Sequence, residues 1–199
     1  MLSSISPLGE RARDSRWWLT TMAYLAGSAA GGLAVGGLAA ALGSLVPVGW
    51  RSSAVAHVAL ATVLLVGLAL DLGVAGLALP SWRRQVDEQW LTRYRGWVYG
   101  AGFGAQLGFG LVTIITSATT YAAVLLAAWS GHLGAGLAIG GTFGLARALP
   151  SLGMRRVTDR RALHRVFERV ERWASPAEVV ARVALAAAAT TLFATAVGS

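Results

Sequence analysis

The chain has 199 residues, of which 55% are hydrophobic and only 13% charged, with no cysteine and a formal net charge of +8. An ordinary soluble domain carries about 25% charged residues. This composition excludes a disulfide-stapled secreted domain, a thiolate metal site, thiol catalysis and long disorder, and it points to a membrane protein.

The basic residues are all arginine. Arg11, Arg13 and Arg16 precede the first long apolar segment, 17–46. Crossing the hydrocarbon core takes about 20 predominantly apolar residues. Segments 53–79, 97–129, 133–152 and 177–197 complete a set of five. The expected fold is therefore all-α, a polytopic membrane helical bundle forming a single domain over 1–199. The first segment is too long for a cleaved signal peptide and is followed at once by another span.

Arg83, Arg84, Arg93 and Arg95 follow the second segment, and Arg155 to Arg172 carry seven arginines after the fourth. The intervening loops hold only Arg51. The positive-inside rule places the N-terminus in the cytoplasm of a bacterial inner membrane and the C-terminus outside. The positive charge then needs no nucleic acid. Trp17, Trp18, Trp50, Trp82, Trp97 and Trp129 fall at span ends, the depth an indole prefers.

Segment 97–129 would make a helix about 50 Å long. Splitting it gives six spans but puts the two arginine-rich loops on opposite faces. A single broken span keeps them together. Leu79-Pro80-Ser81 before Arg83-Arg84 is echoed by Leu149-Pro150-Ser151 before Arg155-Arg156, the trace of a two-hairpin repeat. Glycines recur four apart at Gly32 and Gly36, at Gly100, Gly104 and Gly108, and at Gly136, Gly140 and Gly144. Such faces allow close helix approach, in a static bundle, a homo-oligomer or a rocking interface.

Within the spans, Gln106, Thr113, Thr116, Ser117, Thr120 and Tyr121 form the most polar stretch. They either line a polar path or satisfy carbonyls where a helix unwinds. Asp71 and Arg147 are the deep charges, expected either to pair with each other between hairpins or to couple transport. His57 and His132 are the weak metal or haem candidates, without a supporting carboxylate or thiol, and no cofactor is expected. No phosphate loop and no serine–histidine–acid arrangement is present, so enzymatic activity is not expected.

Over 157–173, Leu163, Val166, Phe167 and Val170 recur at helical spacing, with Arg160, Arg161, Arg165, Arg169 and Arg172 largely on other faces. This reads as an interfacial helix for anionic lipid at the inner leaflet, or for a partner protein. Pro176 then opens the last span.

The stretch Phe109-Gly110, Thr116-Ser117-Ala118-Thr119-Thr120-Tyr121, Ser130-Gly131 and Phe143-Gly144-Leu145-Ala146-Arg147-Ala148-Leu149-Pro150 resembles the thiol-reductant transporters CcdA and DsbD. The resemblance covers about residues 100–153 and implies a repeat-built scaffold of the LysE-like exporter group. That family's membrane cysteines are replaced here by Ser117-Ala118-Thr119. A hydroxyl cannot replace a thiolate in disulfide exchange, which excludes the family's reaction. The leading expectation is a transporter-like protein moving a small polar solute or ion. The alternative is a non-transporting membrane subunit that anchors or assembles a partner, such as a redox complex.

Overall fold

A computed structural model describes residues 6–11, 15–76, 93–110 and 117–198. Among them the regular elements are all helical: α1 (Pro7–Arg11), α2 (Trp17–Ser44), α3 (Val48–Arg51), α4 (Ala54–Asp71), α5 (Gly96–Phe109), α6 (Thr119–Ser130), α7 (Leu133–Ala148) and α8 (Arg160–Gly198). Short 3-10 stretches at Val74–Gly76 and Leu149–Arg156 follow α4 and α7. Among the described residues, three helices are long and apolar enough to cross a membrane: α2, α4 and α8.

Helix α2 is the hub, packed against α5, α6 and α7. Its small residues set the registers. Gly100 meets Thr20, Gly104 meets Tyr24 and Gly108 meets Ser28, so α5 runs in the same direction as α2. Gly136 meets Gly36, Gly140 meets Gly32 and Gly144 meets Ser28, so α7 runs the opposite way. Near the far end of α2, Gly43 lies on Ala128 of α6. Added Cβ atoms at Gly32, Gly104 or Gly140 would overlap main-chain oxygen of the facing helix. Lipid provides no hydrophobic drive between helices, so close backbone packing supplies the attraction. The Ser28 hydroxyl adds a hydrogen bond to the Gly144 carbonyl at 2.7 Å.

A second group forms where α4 and α8 pack together against α6. Ala61, Leu64, Ala118, Ala122, Leu185 and Ala189 are its buried members. At the end of α4, Asp71 lies by Arg182, while the earlier Ala61 and Leu64 cluster with the later Leu185 and Ala189. The two helices therefore run in opposite directions.

Several expected boundaries are corrected. The second apolar segment stops being α-helical at Asp71, not at residue 79, because the chain turns through Gly73 and Gly76, both with positive φ. Residues 77–79 lie outside the described part, as do Pro80, Trp82, Arg83 and Arg84 and the first copy of the Leu-Pro-Ser echo. The third segment is two helices: α5 ends at Gly110, with φ of 68°, and α6 starts after Ala118. The fourth narrows to 3-10 geometry from Leu149, next to Pro150. The expected interfacial helix and last span are one helix, α8, with Pro176 inside it. Its start is capped by Asp159, whose carboxylate accepts from Ala162 N–H at 2.7 Å. Residues 168–180 are exposed, so solvent or headgroups can satisfy the carbonyl that proline leaves without a donor.

Below the first turn of α2, α1 is drawn into the bundle. Leu8 N–H donates to the Val157 carbonyl at 3.1 Å. The fully buried Glu10 accepts from the Thr20 hydroxyl at 2.9 Å and from the Tyr99 hydroxyl.

Candidate functional site

A helix interrupted in mid-course leaves main-chain donors at one new end and acceptors at the other. It also leaves partial positive charge at the new N-terminus and partial negative charge at the new C-terminus. The end of α5 and the start of α6 are two such ends, and a charged side chain from a different helix lies near each.

At the start of α6 the partner is Asp71, the last residue of α4. Its carboxylate accepts from Ala118 N–H, with N···O distances of 2.9 and 3.0 Å to its two oxygens. Oδ2 also accepts from the Ser117 hydroxyl at 2.9 Å. The Ser117 oxygen in turn accepts from Thr119 N–H at 3.2 Å and from the Thr119 hydroxyl at 3.0 Å. An anion and a hydroxyl thus share the work of capping one helix. The Asp71 carbonyl, at the end of α4, accepts from Arg182 Nη2 at 3.0 Å. Arg182 is also paired with Glu178 one turn earlier, at 3.5 Å.

At the end of α5 the charge is Arg147 of α7. A Cβ placed on Gly110 would lie 3.2 Å from its buried Nη1. The guanidinium also sits over the Phe143 ring, 5.5 Å from the centroid. A cation next to a helix C-terminus is stabilised by the unsatisfied carbonyls there. The expected Asp71–Arg147 pair is therefore corrected. Asp71 serves a helix end instead, because a terminus is an electrostatic partner that does not show in a count of charged residues.

The far end of α6 repeats the logic. Arg51 Nη1 donates to the Trp129 carbonyl at 3.2 Å and to the Ser130 carbonyl at 3.0 Å. Its Nε bonds the Val46 carbonyl at 3.2 Å, tying α6 to the turn after α2. Gly131, in the left-handed region with φ of 55°, leaves the space that this guanidinium fills. Helix α6 thus has an acid at its N-terminus and an arginine at its C-terminus.

Of the expected polar stripe, Ser117 is bound to Asp71 and Thr120 is buried beside Gly110. Gln106 and Tyr121 are half-buried, and Thr113 and Thr116 lie outside the described residues. A void of about 10 Å³ between α2, α5, α6 and α7 is bounded by residues such as Gly32, Gly108, Phe109 and Phe143. That is roughly one water sphere. A larger cleft of about 510 Å³ between α6, α7 and α8 has an apolar wall that includes Ala122, Leu126, Ile139 and Leu185. Neither is lined by Gln106, Ser117, Thr120 or Tyr121.

His57 donates to the Ser53 carbonyl through Nδ1 at 2.9 Å and meets Trp129 edge-on at 5.2 Å. His132 is exposed at the start of α7. Among the described residues no cluster of histidines and acids is arranged to hold a metal. Glu10, Arg51 and Arg182 are the polar residues that reading the chain alone missed. Arg51 and Arg182 had one available signal, each being an isolated arginine away from the basic clusters.

No family model and no solved structure matches the chain. Curated proteins do. The methylamine utilization protein MauF of Paracoccus denitrificans is 31% identical over 153 residues, 75% of this chain and 54% of that protein. MauF of Paracoccus versutus is 29% identical over 160 residues, covering 79% and 58%. MauF of Methylophilus methylotrophus is 29% identical over 156 residues, covering 75% and 53%. The chain spans about half the length of these curated relatives. These matches overturn the resemblance to CcdA, DsbD and the LysE-like exporters. They also overturn the transporter reading drawn from it.

Proposed function

We propose that this chain is a non-transporting, non-enzymatic membrane component that anchors or assembles a partner in a methylamine-utilization system. One observation carries the reading: the deep charge Asp71 is bound to the start of α6 through Ala118 N–H and the Ser117 hydroxyl. A solute path would need such a group turned toward a space, and here it holds one helix to another. The relatives' shared name supports the pathway assignment.

In this reading the five apolar segments cross the bacterial inner membrane, with α5 and α6 sharing one crossing. Both run along α2 in the same sense, which favours a broken single span over two. The arginine clusters support a cytoplasmic N-terminus and an external C-terminus. The glycine faces of α2, α5 and α7 make a rigid platform, and the exposed part of α8 is available to bind outside the bundle.

Deleting the gene in its own host tests the assignment. Growth on methylamine is expected to fail and growth on an unrelated carbon and nitrogen source to continue. Unchanged growth on methylamine would overturn the reading.

A further inference from the structure

The exposed first half of α8 carries a feature that the bundle does not use. At 3.6 residues per turn, Arg161, Arg165, Arg169 and Arg172 fall within an arc of about 80° and extend about 16 Å along the helix. All four side chains are exposed. Of the acids on this stretch, Glu168 faces His164 at 3.8 Å, and Glu171 falls outside the arc of the row. Arg172 bonds the Glu168 carbonyl through Nε at 3.4 Å, which leaves its Nη groups outward. Phe167, Val170 and Trp173, at 37%, 38% and 67% exposure, lie on the opposite side of the same stretch.

Depth is fixed by the fold. Helix α8 starts just after Val157, which is bonded to Leu8, and α1 lies under the first turn of α2 through Glu10 and Thr20. The arginine row therefore begins at the level of Trp17 and Trp18. It ends ten residues before Arg182, which has already reached Asp71 inside the bundle. Because α8 is continuous, the row cannot swing away from its span. A positive row backed by an exposed aromatic and aliphatic face, held at the span entrance, matches the phosphate layer and acyl boundary of a negatively charged leaflet.

We infer that Arg161, Arg165, Arg169 and Arg172 form a binding row for the headgroup phosphates of anionic phospholipid, with Phe167, Val170 and Trp173 entering the acyl boundary. The inference rests on the membrane reading above and names the lipid class that this component selects. Guanidinium groups suit the task because each remains charged and presents paired donors to phosphate oxygens.

The test uses the full chain in nanodiscs of phosphatidylcholine with a minor fraction of phosphatidylglycerol. Lipid retained after detergent extraction is counted by native mass spectrometry. Wild type is expected to retain phosphatidylglycerol in clear excess of its share. Each Arg→Gln change in the row should lower that selectivity by up to about fivefold, with loss of preference when all four are changed. R155Q/R156Q removes as much charge as R165Q/R169Q but lies off the row, and it should cost less. Equal loss from both pairs, or retention at the bulk ratio by wild type, would overturn the inference. So would an acidic protein from native membranes that binds through the row and is displaced by no lipid. Monodisperse elution of each variant checks folding. Partner recovery from host membranes, measured separately, reports on the assembly role, so the two ideas fail independently.

Discussion

The carboxylate of Asp71, at the end of α4, caps the start of α6 through Ala118 N–H and the Ser117 hydroxyl. An acid at the end of its own helix is in an unfavourable position. Two features offset this: the N-terminus of α6 in front of the carboxylate, and the Arg182 side chain on the Asp71 carbonyl. Three helices thus converge on one residue.

This arrangement gives an ordered series. Asp71→Asn keeps one acceptor and should lose about 1–3 kcal/mol of stability, the range for a hydrogen bond to a charged group. Asp71→Ala should lose more, and Ser117→Ala less than either. Denaturant titration of the purified protein in mild detergent would rank them. Equal stability of Asp71→Ala and wild type would remove Asp71 from any structural role.

Arg51 makes the corresponding prediction at the far end of α6. Arg51→Gln should destabilise by about 1–2 kcal/mol through loss of the Trp129 and Ser130 carbonyl partners. Hydrogen exchange should rise in the last turn of α6 and remain unchanged in α5. A uniform rise across the bundle would contradict a local capping role.

The α2–α7 contact permits a sharp comparison. Gly140→Ala forces a methyl group onto the Gly32 carbonyl, whereas Gly134→Ala meets open space. The first should cost about 1–3 kcal/mol as overpacking and the second close to nothing. Thermal unfolding in detergent distinguishes them, and equal midpoints would mean that the helices are not in this register.

Glu10 gives a prediction that does not involve the membrane core. Glu10→Gln should be destabilising, because both the Thr20 and Tyr99 hydroxyls donate to it and an amide brings a donor to one of those places. Tyr99→Phe removes one donor and should cost less. Limited proteolysis near residue 11 should be faster in Glu10→Gln. Identical cleavage rates would show that α1 is held by other contacts.

Much of this architecture is legible in the amino-acid order, for reasons that differ from element to element. The division of the third segment into α5 and α6 is legible in its excess length, which is more than one straight crossing needs. The glycine faces are legible because spacing by four is a helix repeat in any environment. The Asp71–Arg147 pairing was misread because opposite charges at similar depth suggest each other, while helix ends carry charge that no residue letter records. Pro176 suggests a helix start, the commoner role of proline, but in an exposed stretch the helix continues through it. Glu10 could not be found at all: its burial depends on Thr20 and Tyr99, and Tyr99 is far away in the chain. The functional misreading came from short motifs that report a broken, glycine-packed span and not a shared activity.

The central claim, a non-transporting component that holds a partner, is tested most directly by purifying the tagged full chain from its host during growth on methylamine. Mild detergent extraction should yield a stoichiometric partner, and proteoliposomes holding the chain alone should show no methylammonium flux above empty vesicles. A chain that purifies without a partner and carries flux abolished by Asp71→Asn would contradict the account.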